Sequence, residues 1–294
     1  MNPLSGTELS TEAYSALFTL HNTMKAGDYA DRSIANYARE IRFLFAYYRD
    51  KLPTEITALD VTNYIVHIKD VHQAGYTKCK MVACSVAFFF QHVLKQPYSI
   101  PSKLYPRKQF KLPNVMSQEE IKKLFQAITN EKHLVLLKLI YSTGMRLDEC
   151  RYLQPQDIDS ANNRVKVKYG KGRKERYTIL SSQLIEDLRT YYRNQRPVKY
   201  LFNGQQKGKV MSAKAIQWAM AEGLKKAGIV NKKYSIHTLR HSFATHLLDG
   251  GNDIHTIKEL LGHSKIETTM IYLHLTAKKQ SAIVNPLDTL YGKH

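Results

Sequence analysis

The stretch RVKVKYGKGRKERYTIL, Arg164 to Leu180, decides the fold. Apolar residues recur there at every second position, Val165, Val167 and Tyr169 and then Tyr177 and Ile179, around the turn sequence Gly170-Lys171-Gly172. Alternate side chains of a strand share a face and glycine tolerates tight turns, so this pattern predicts a β-hairpin. Helical spacing resumes near Gln183 and continues almost to the end of the chain. The fold class expected is therefore mainly α, with one small β-hairpin or sheet in its C-terminal part.

Before the hairpin, Ser117 and Glu120 give the S-x-x-E start of a helix, and an apolar helix from about His133 to Ser142 should end at Gly144. The segment Pro97 to Pro113 loses periodicity. It collects Pro97, Pro101, Pro106 and Pro113 with Lys103, Arg107, Lys108 and Lys111, the composition of a basic linker. It reads equally as a structureless tether and as a cationic strap along a phosphate backbone. Residues 1–96 form one helical domain, 97–114 the linker, and 115–294 a second domain with a C-terminal tail.

The first domain reads as four helices, roughly Leu9 to Ala26, Asp31 to Lys51, Ala58 to Gln73 and Thr77 to Lys95, without strand signals. Ile34, Tyr37, Ile41, Leu44 and Tyr48 fall on one helical face, and Arg32, Arg39, Arg42 and Arg49 on others. Those arginines are either a solvated surface or phosphate contacts, which composition does not separate. Val82, Ala83, Val86, Phe89, Phe90 and Val93 have the spacing of core residues rather than of a base-stacking platform.

Lys and Arg outnumber Asp and Glu by 44 to 25 in the 294 residues, a formal charge of +19 that favours a polyanionic partner: DNA, RNA or an anionic membrane surface. The membrane reading weakens because no apolar run reaches about 18 residues and the N-terminus lacks a signal peptide, which makes the cytosol the expected compartment. Cys79, Cys84 and Cys150 have no CxxC spacing, so they read as ordinary buried or half-buried thiols.

Three clusters place polar groups at otherwise apolar helix ends and turns: Tyr141 to Cys150 (YSTGMRLDEC), His237-Thr238-Leu239-Arg240-His241, and Leu261-Gly262-His263-Ser264 running on to Tyr272. Singly each is weak. His263 alone reads as a helix-end histidine, Tyr272 as a packing residue, and Arg146 as a partner of Glu149. Together they give an arginine, a hairpin lysine, His-x-x-Arg, Gly-His and a tyrosine nine residues later.

That order and spacing resembles the tyrosine recombinase, or phage integrase, family over nearly all of Ser117 to Tyr272. The four-helix segment resembles the family's core-binding (SAM-like) domain, without a diagnostic motif. The resemblance implies catalytic roles for Arg146, Lys171, His237, Arg240, His263 and Tyr272, with Glu149 as a supporting acid. Asp148 departs from the Ser that many members carry, which leaves this set intact. It further implies a site-specific recombinase on double-stranded DNA working through a 3′-phosphotyrosine. Its protomers would assemble on DNA, as a tetramer in the synapse, with exchange of C-terminal tails near Ile283 to Leu287. The compact chain is similar to the simple dimer-resolving or integron-type enzymes.

In chemical terms, two guanidiniums can grip the non-bridging oxygens of a phosphodiester and favour its five-coordinate transition state. A tyrosine with an ordinary pKa of about 10 is ionised in roughly one molecule per thousand at neutral pH, so Tyr272 needs a proton acceptor, and His237 or His263 is available. Lys171 suits protonation of the departing 5′ oxygen, with Lys174 as its rival. Gly-Lys-Gly lacks the spacing of an ATP-binding loop. No cofactor or metal is expected, because arginines can replace metal ions as charge stabilisers and the phosphotyrosine conserves the bond energy. The alternatives are a type IB topoisomerase, with similar chemistry, and a DNA-binding architectural protein that has lost the reaction.

Overall fold

The computed structural model describes residues 9–98, 112–168, 175–230 and 232–276. The chain divides into two compact units, Met1–Phe110 and Lys111–His294.

In the first unit, α1 (Thr11–Ala26), α2 (Asp31–Tyr47), α3 (Ala58–Asp70) and α4 (Tyr76–Phe88) enclose one core, and a π-helical turn, Phe89–Leu94, extends α4. Leu20, Met24, Ile34, Ile41, Leu44, Val61, Ile65, Val82, Val86 and Phe89 fill it, in keeping with the helical spacing. Two helices stop earlier than their apolar pattern. After Tyr47 the Tyr48 hydroxyl donates to the Asp60 carbonyl at 2.9 Å and Lys51 reaches the Asp60 carboxylate at 2.7 Å, so the chain turns to meet α3. Helix α3 ends at Asp70 because Gln73 takes a φ of 51°.

The second unit begins with α5 (Gln118–Ala127), opened by the reciprocal Ser117 and Glu120 capping bonds, and α6 (Glu131–Thr143), capped by Asn130. Helix α6 is the unit's central rod, with Val135, Leu136, Leu137, Leu139 and Ile140 all buried, and it packs on both α8 (Ser182–Gln195) and α10 (Ile236–Asp249). Helices α7 (Leu147–Arg151), α9 (Ala213–Lys226), α11 (Ile254–Leu261) and α12 (Glu267–Met270), with a 3-10 turn at Ile271–His274, complete the helical shell. Among the described residues no helix is long and apolar enough to cross a membrane.

The hairpin is present as β2 (Arg164–Val167) paired antiparallel with β3 (Arg176–Ile179), and β1 (Ile158–Asp159) adds a third, edge strand. The register sets Val165 opposite Thr178 and Val167 opposite Arg176, and these four share the inner face. Tyr177 and Ile179, apolar in the sequence alternation, point outward and are 48% and 43% exposed. The guanidinium of Arg164, one pair further along that outer face, covers the Tyr177 ring at 4.4 Å. The inner position opposite Val167 thus belongs to a charged side chain, Arg176, that the apolar pattern does not mark. The hairpin tip, with Lys171 and Lys174, lies outside the described residues, as do Lys103, Arg107, Lys108, Lys111 and the C-terminal tail.

Candidate active site

The site is built where α6 ends. Gly144 closes the helix with φ 62°, and a Cβ there would also run into the Phe243 ring, so both conformation and space require glycine. The chain then turns through Met145 into α7, at whose start Arg146 stands. The Arg146 backbone N–H donates to Glu149 Oε2 and its Nη1 to Glu149 Oε1, both at 2.8 Å, which holds the side chain at both ends while it stays 29% exposed.

Glu149 is the buried carboxylate of this cluster. Its second partner is Arg176, the inward residue of β3, whose Nη1 and Nη2 grip both oxygens at 2.9 and 2.7 Å while its Nε donates to the Leu260 carbonyl at 2.9 Å. Burial pushes the Glu149 pKa up, but the bonds and charge of Arg176, joined by Arg146, outweigh it and hold the carboxyl at about 2. One carboxylate therefore ties the hairpin to the turn that carries Arg146.

Arg240, on α10, is 4% exposed. Its Nη1 donates to the Gly144 carbonyl at 2.5 Å, and its Nη2 to the Leu261 carbonyl at 2.7 Å and to His263 Nε2 at 3.0 Å. These partners are neutral, and among the described residues no carboxylate pairs with it. Burial first, then the Arg146 charge, lower its pKa to about 10, still cationic near neutrality. A guanidinium only donates, so His263 Nε2 must be unprotonated and Nδ1 carries the proton, donated to Thr269 Oγ1 at 2.9 Å. Burial, then the charges of Arg240, Arg146 and Arg176, depress the His263 pKa to about 3, which keeps that ring neutral.

Gly262 places His263. It ends α11 with φ 64°, and a Cβ on it would meet Arg176 Cδ at 2.8 Å. Beyond it, Tyr272 sits in a small apolar cluster with Phe243, Ala244, Ile257 and Leu261, 1% exposed. Its hydroxyl lies 3.0 Å from His241 Nδ1. Burial raises the phenol's pKa, and Arg240 and Arg146 act against that rise.

Of the residues singled out in the sequence, Arg146, Glu149, Arg240, His263 and Tyr272 thus occupy one neighbourhood. His237, exposed one turn before His241, feels the same charges: burial, Arg240 and Arg146 all lower its pKa. Lys171 lies outside the described residues. In the first unit Arg32 is exposed, Arg39 is paired with Glu40, and the Nε of half-buried Arg42 has no hydrogen-bond partner among the described residues. Arg176 is not marked by the sequence pattern, and His241 and Thr269, which lie inside the quoted clusters, carry no role there. Arg176 is one of several cations in the basic hairpin run, and the partners of His241 and Thr269 lie 31 and 6 positions away, beyond the reach of a local signal.

A helical scaffold that gathers two guanidiniums and neutral histidines beside a buried tyrosine suits phosphoryl transfer to a side chain. Residues 114–279 match the phage integrase family, and residues 17–100 match the phage integrase N-terminal SAM-like domain. Tyrosine recombinase XerD of Staphylococcus epidermidis is 31% identical over 266 residues, 84% of this chain and 89% of that protein. Among solved structures, the XerH site-specific recombinase bound to palindromic difH substrate shares the fold with a TM-score of 0.73 at 23% identity, over 97% of this chain and 91% of that one. A lambda integrase tetramer bound to a Holliday junction shares it with a TM-score of 0.69 at 14% identity, over 88% and 76%. The chain belongs to the phage integrase family, the tyrosine recombinases. These relatives do not favour the type IB topoisomerase alternative.

Proposed function

We propose that the protein is a site-specific recombinase that cuts and rejoins duplex DNA through a covalent bond between Tyr272 and a 3′ phosphate. The observation that carries this reading is Arg240: a buried guanidinium, held by carbonyls and a neutral histidine, beside Arg146 and Tyr272 and, among the described residues, without a paired carboxylate. A buried cation without a directly paired anion is costly, and a bound phosphodiester supplies that negative charge.

In this reading Arg146 and Arg240 hold the non-bridging oxygens and stabilise the charge that grows on them as phosphorus becomes five-coordinate. His263 and His237 complete the phosphate's polar surround, Glu149 fixes Arg146, and Lys171 protonates the departing 5′ oxygen, with Lys174 as the nearest substitute. The Tyr272 ester keeps the energy of the broken bond, so a 5′ hydroxyl from another strand rejoins the DNA without a high-energy cofactor.

The four-helix unit, residues 1–96, serves as the core-binding domain, with Arg32, Arg39 and Arg42 toward the phosphates. The basic segment 97–114, with Lys103, Arg107, Lys108 and Lys111, links it to the catalytic domain, residues 115–294. The lambda integrase tetramer bound to a Holliday junction supports a multimer of this chain on DNA, in which C-terminal tails would be exchanged between protomers. The working compartment is the cytoplasm.

The test is covalent capture from a library of nicked duplexes with a randomised centre. The wild-type protein should enrich one core sequence in denaturant-resistant adducts, and Tyr272→Phe should yield none. Adducts from Tyr272→Phe would remove the nucleophile assignment. Relaxation of supercoiled plasmid with no sequence enrichment would replace recombination by strand swivelling.

A further inference from the structure

As Tyr272 attacks phosphorus its phenol must lose a proton, and the fold sets a base beside it that the sequence motifs leave unassigned. His241 Nδ1 is 3.0 Å from the Tyr272 hydroxyl, with the rings tilted at 48° and their centroids 5.7 Å apart. His263 is engaged at both nitrogens, by Arg240 at Nε2 and by Thr269 at Nδ1, so its one lone pair is already occupied. Successive residues on a helix diverge by about 100°, so Arg240 faces the Gly144 turn while its neighbour His241 faces the 3-10 turn that carries Tyr272.

We infer that His241 is the general base for Tyr272, a catalytic residue beyond the motif set. This rests on the reading of Tyr272 as the nucleophile. The phenol O–H donates to the unprotonated Nδ1 of a ring that carries its own proton on Nε2. As the bond from the phenol oxygen to phosphorus forms, the proton passes to Nδ1 and the ring becomes an imidazolium. The bond from phosphorus to the 5′ oxygen breaks, and that oxygen takes a proton from the general acid assigned to Lys171. On rejoining, a 5′ hydroxyl returns its proton to that same acid, now deprotonated, and bonds to phosphorus, while the phenol oxygen leaves and recovers its proton from Nδ1.

The surroundings make this base conditional on substrate. The groups facing His241 are Tyr272, His237 and Arg240, with His263 across from α11, and burial and then His237 and Arg240 hold its pKa at about 4. A phosphodiester anion gripped by Arg146 and Arg240 acts in the opposite direction and favours the imidazolium.

The experiment measures single-turnover cleavage of the captured nicked duplex by wild type, His241→Ala and His241→Asn, each with tyrosine or trifluorotyrosine at position 272. The fluorinated phenol is more acidic and depends less on a base. Both variants should bind the duplex as wild type does and lose cleavage by about 100-fold or more. Trifluorotyrosine should recover most of that loss while changing the wild type little. Wild-type cleavage by His241→Asn, which keeps a hydrogen-bond acceptor but is not a base, would overturn the inference. So would a deficit that trifluorotyrosine leaves unchanged. Adduct formation by Tyr272→Phe would instead strike the nucleophile assignment itself, whatever His241 does.

Discussion

Glu40 in the N-terminal unit and Arg240 in the C-terminal unit are both charged residues inside a helical core, 1% and 4% exposed. Glu40 is matched on the spot: Lys78 and Arg39 both pair with it, so its charge is balanced within α2 and α4. Among the described residues Arg240 is satisfied as a donor by two carbonyls and a neutral imidazole, and no carboxylate pairs with it, Glu149 being paired with Arg146 and Arg176. Hydrogen bonding and charge balance are separate requirements of a buried ion. A buried ion that meets both is structural, whereas one that meets only the first is shaped for an anion that arrives from outside.

The strongest way to break this comparison is Arg240→Lys, which keeps the charge and removes the planar fork. Cleavage should fall by about 10³-fold, the order expected for losing a transition-state donor. Glu40→Gln should instead lower thermal stability and leave the cleavage rate of the folded protein unchanged. Rates that moved by similar factors in the two variants would erase the distinction between the two buried ions.

Glu149 sharpens it, as the carboxylate that two arginines share. Glu149→Gln leaves Arg176 and Arg146 without their anion and should cost about 3 kcal/mol of unfolding free energy in urea melts, the lower end for breaking a buried pair. Acid titration gives an independent check. A folded-state pKa of about 2, against an ordinary 4.5, means that this stabilisation is fully present above pH 4.5 and is lost as pH falls toward 2. The variant should show a correspondingly flatter stability profile in that window.

The smallest effect is expected at Thr269. Thr269→Val removes the acceptor that holds the His263 proton on Nδ1, and cleavage should fall by about threefold to tenfold, roughly the worth of one neutral hydrogen bond. Thr269→Ser should restore the wild-type rate. Equal loss in both variants would mean that packing, and not the hydroxyl, is what position 269 supplies.

Local signals carried much of this molecule's plan. The capping pair Ser117 and Glu120, the Gly144 terminator and the alternation of the hairpin are each encoded within a few residues, and each element is where its signal places it. The Arg176 grip on Glu149, the Thr269 bond to His263 and the His241 contact with Tyr272 join residues 27, 6 and 31 positions apart. None follows from a period or a cap. In the hairpin the apolar alternation even pointed away from the useful face, because the inner position of β3 is spent on a cation. Arg240 was visible as a motif residue, but its lack of a counter-charge emerged only with the packing around α6 and α11.

The central claim is that Tyr272 is the atom source of the covalent link. Digesting the trapped protein-DNA adduct and sequencing its nucleotide-bearing peptide by mass spectrometry tests this directly. The account predicts one modified peptide, with a nucleotide joined through its 3′ phosphate to Tyr272. A nucleotide on any other side chain, or a link through a 5′ phosphate, would contradict it.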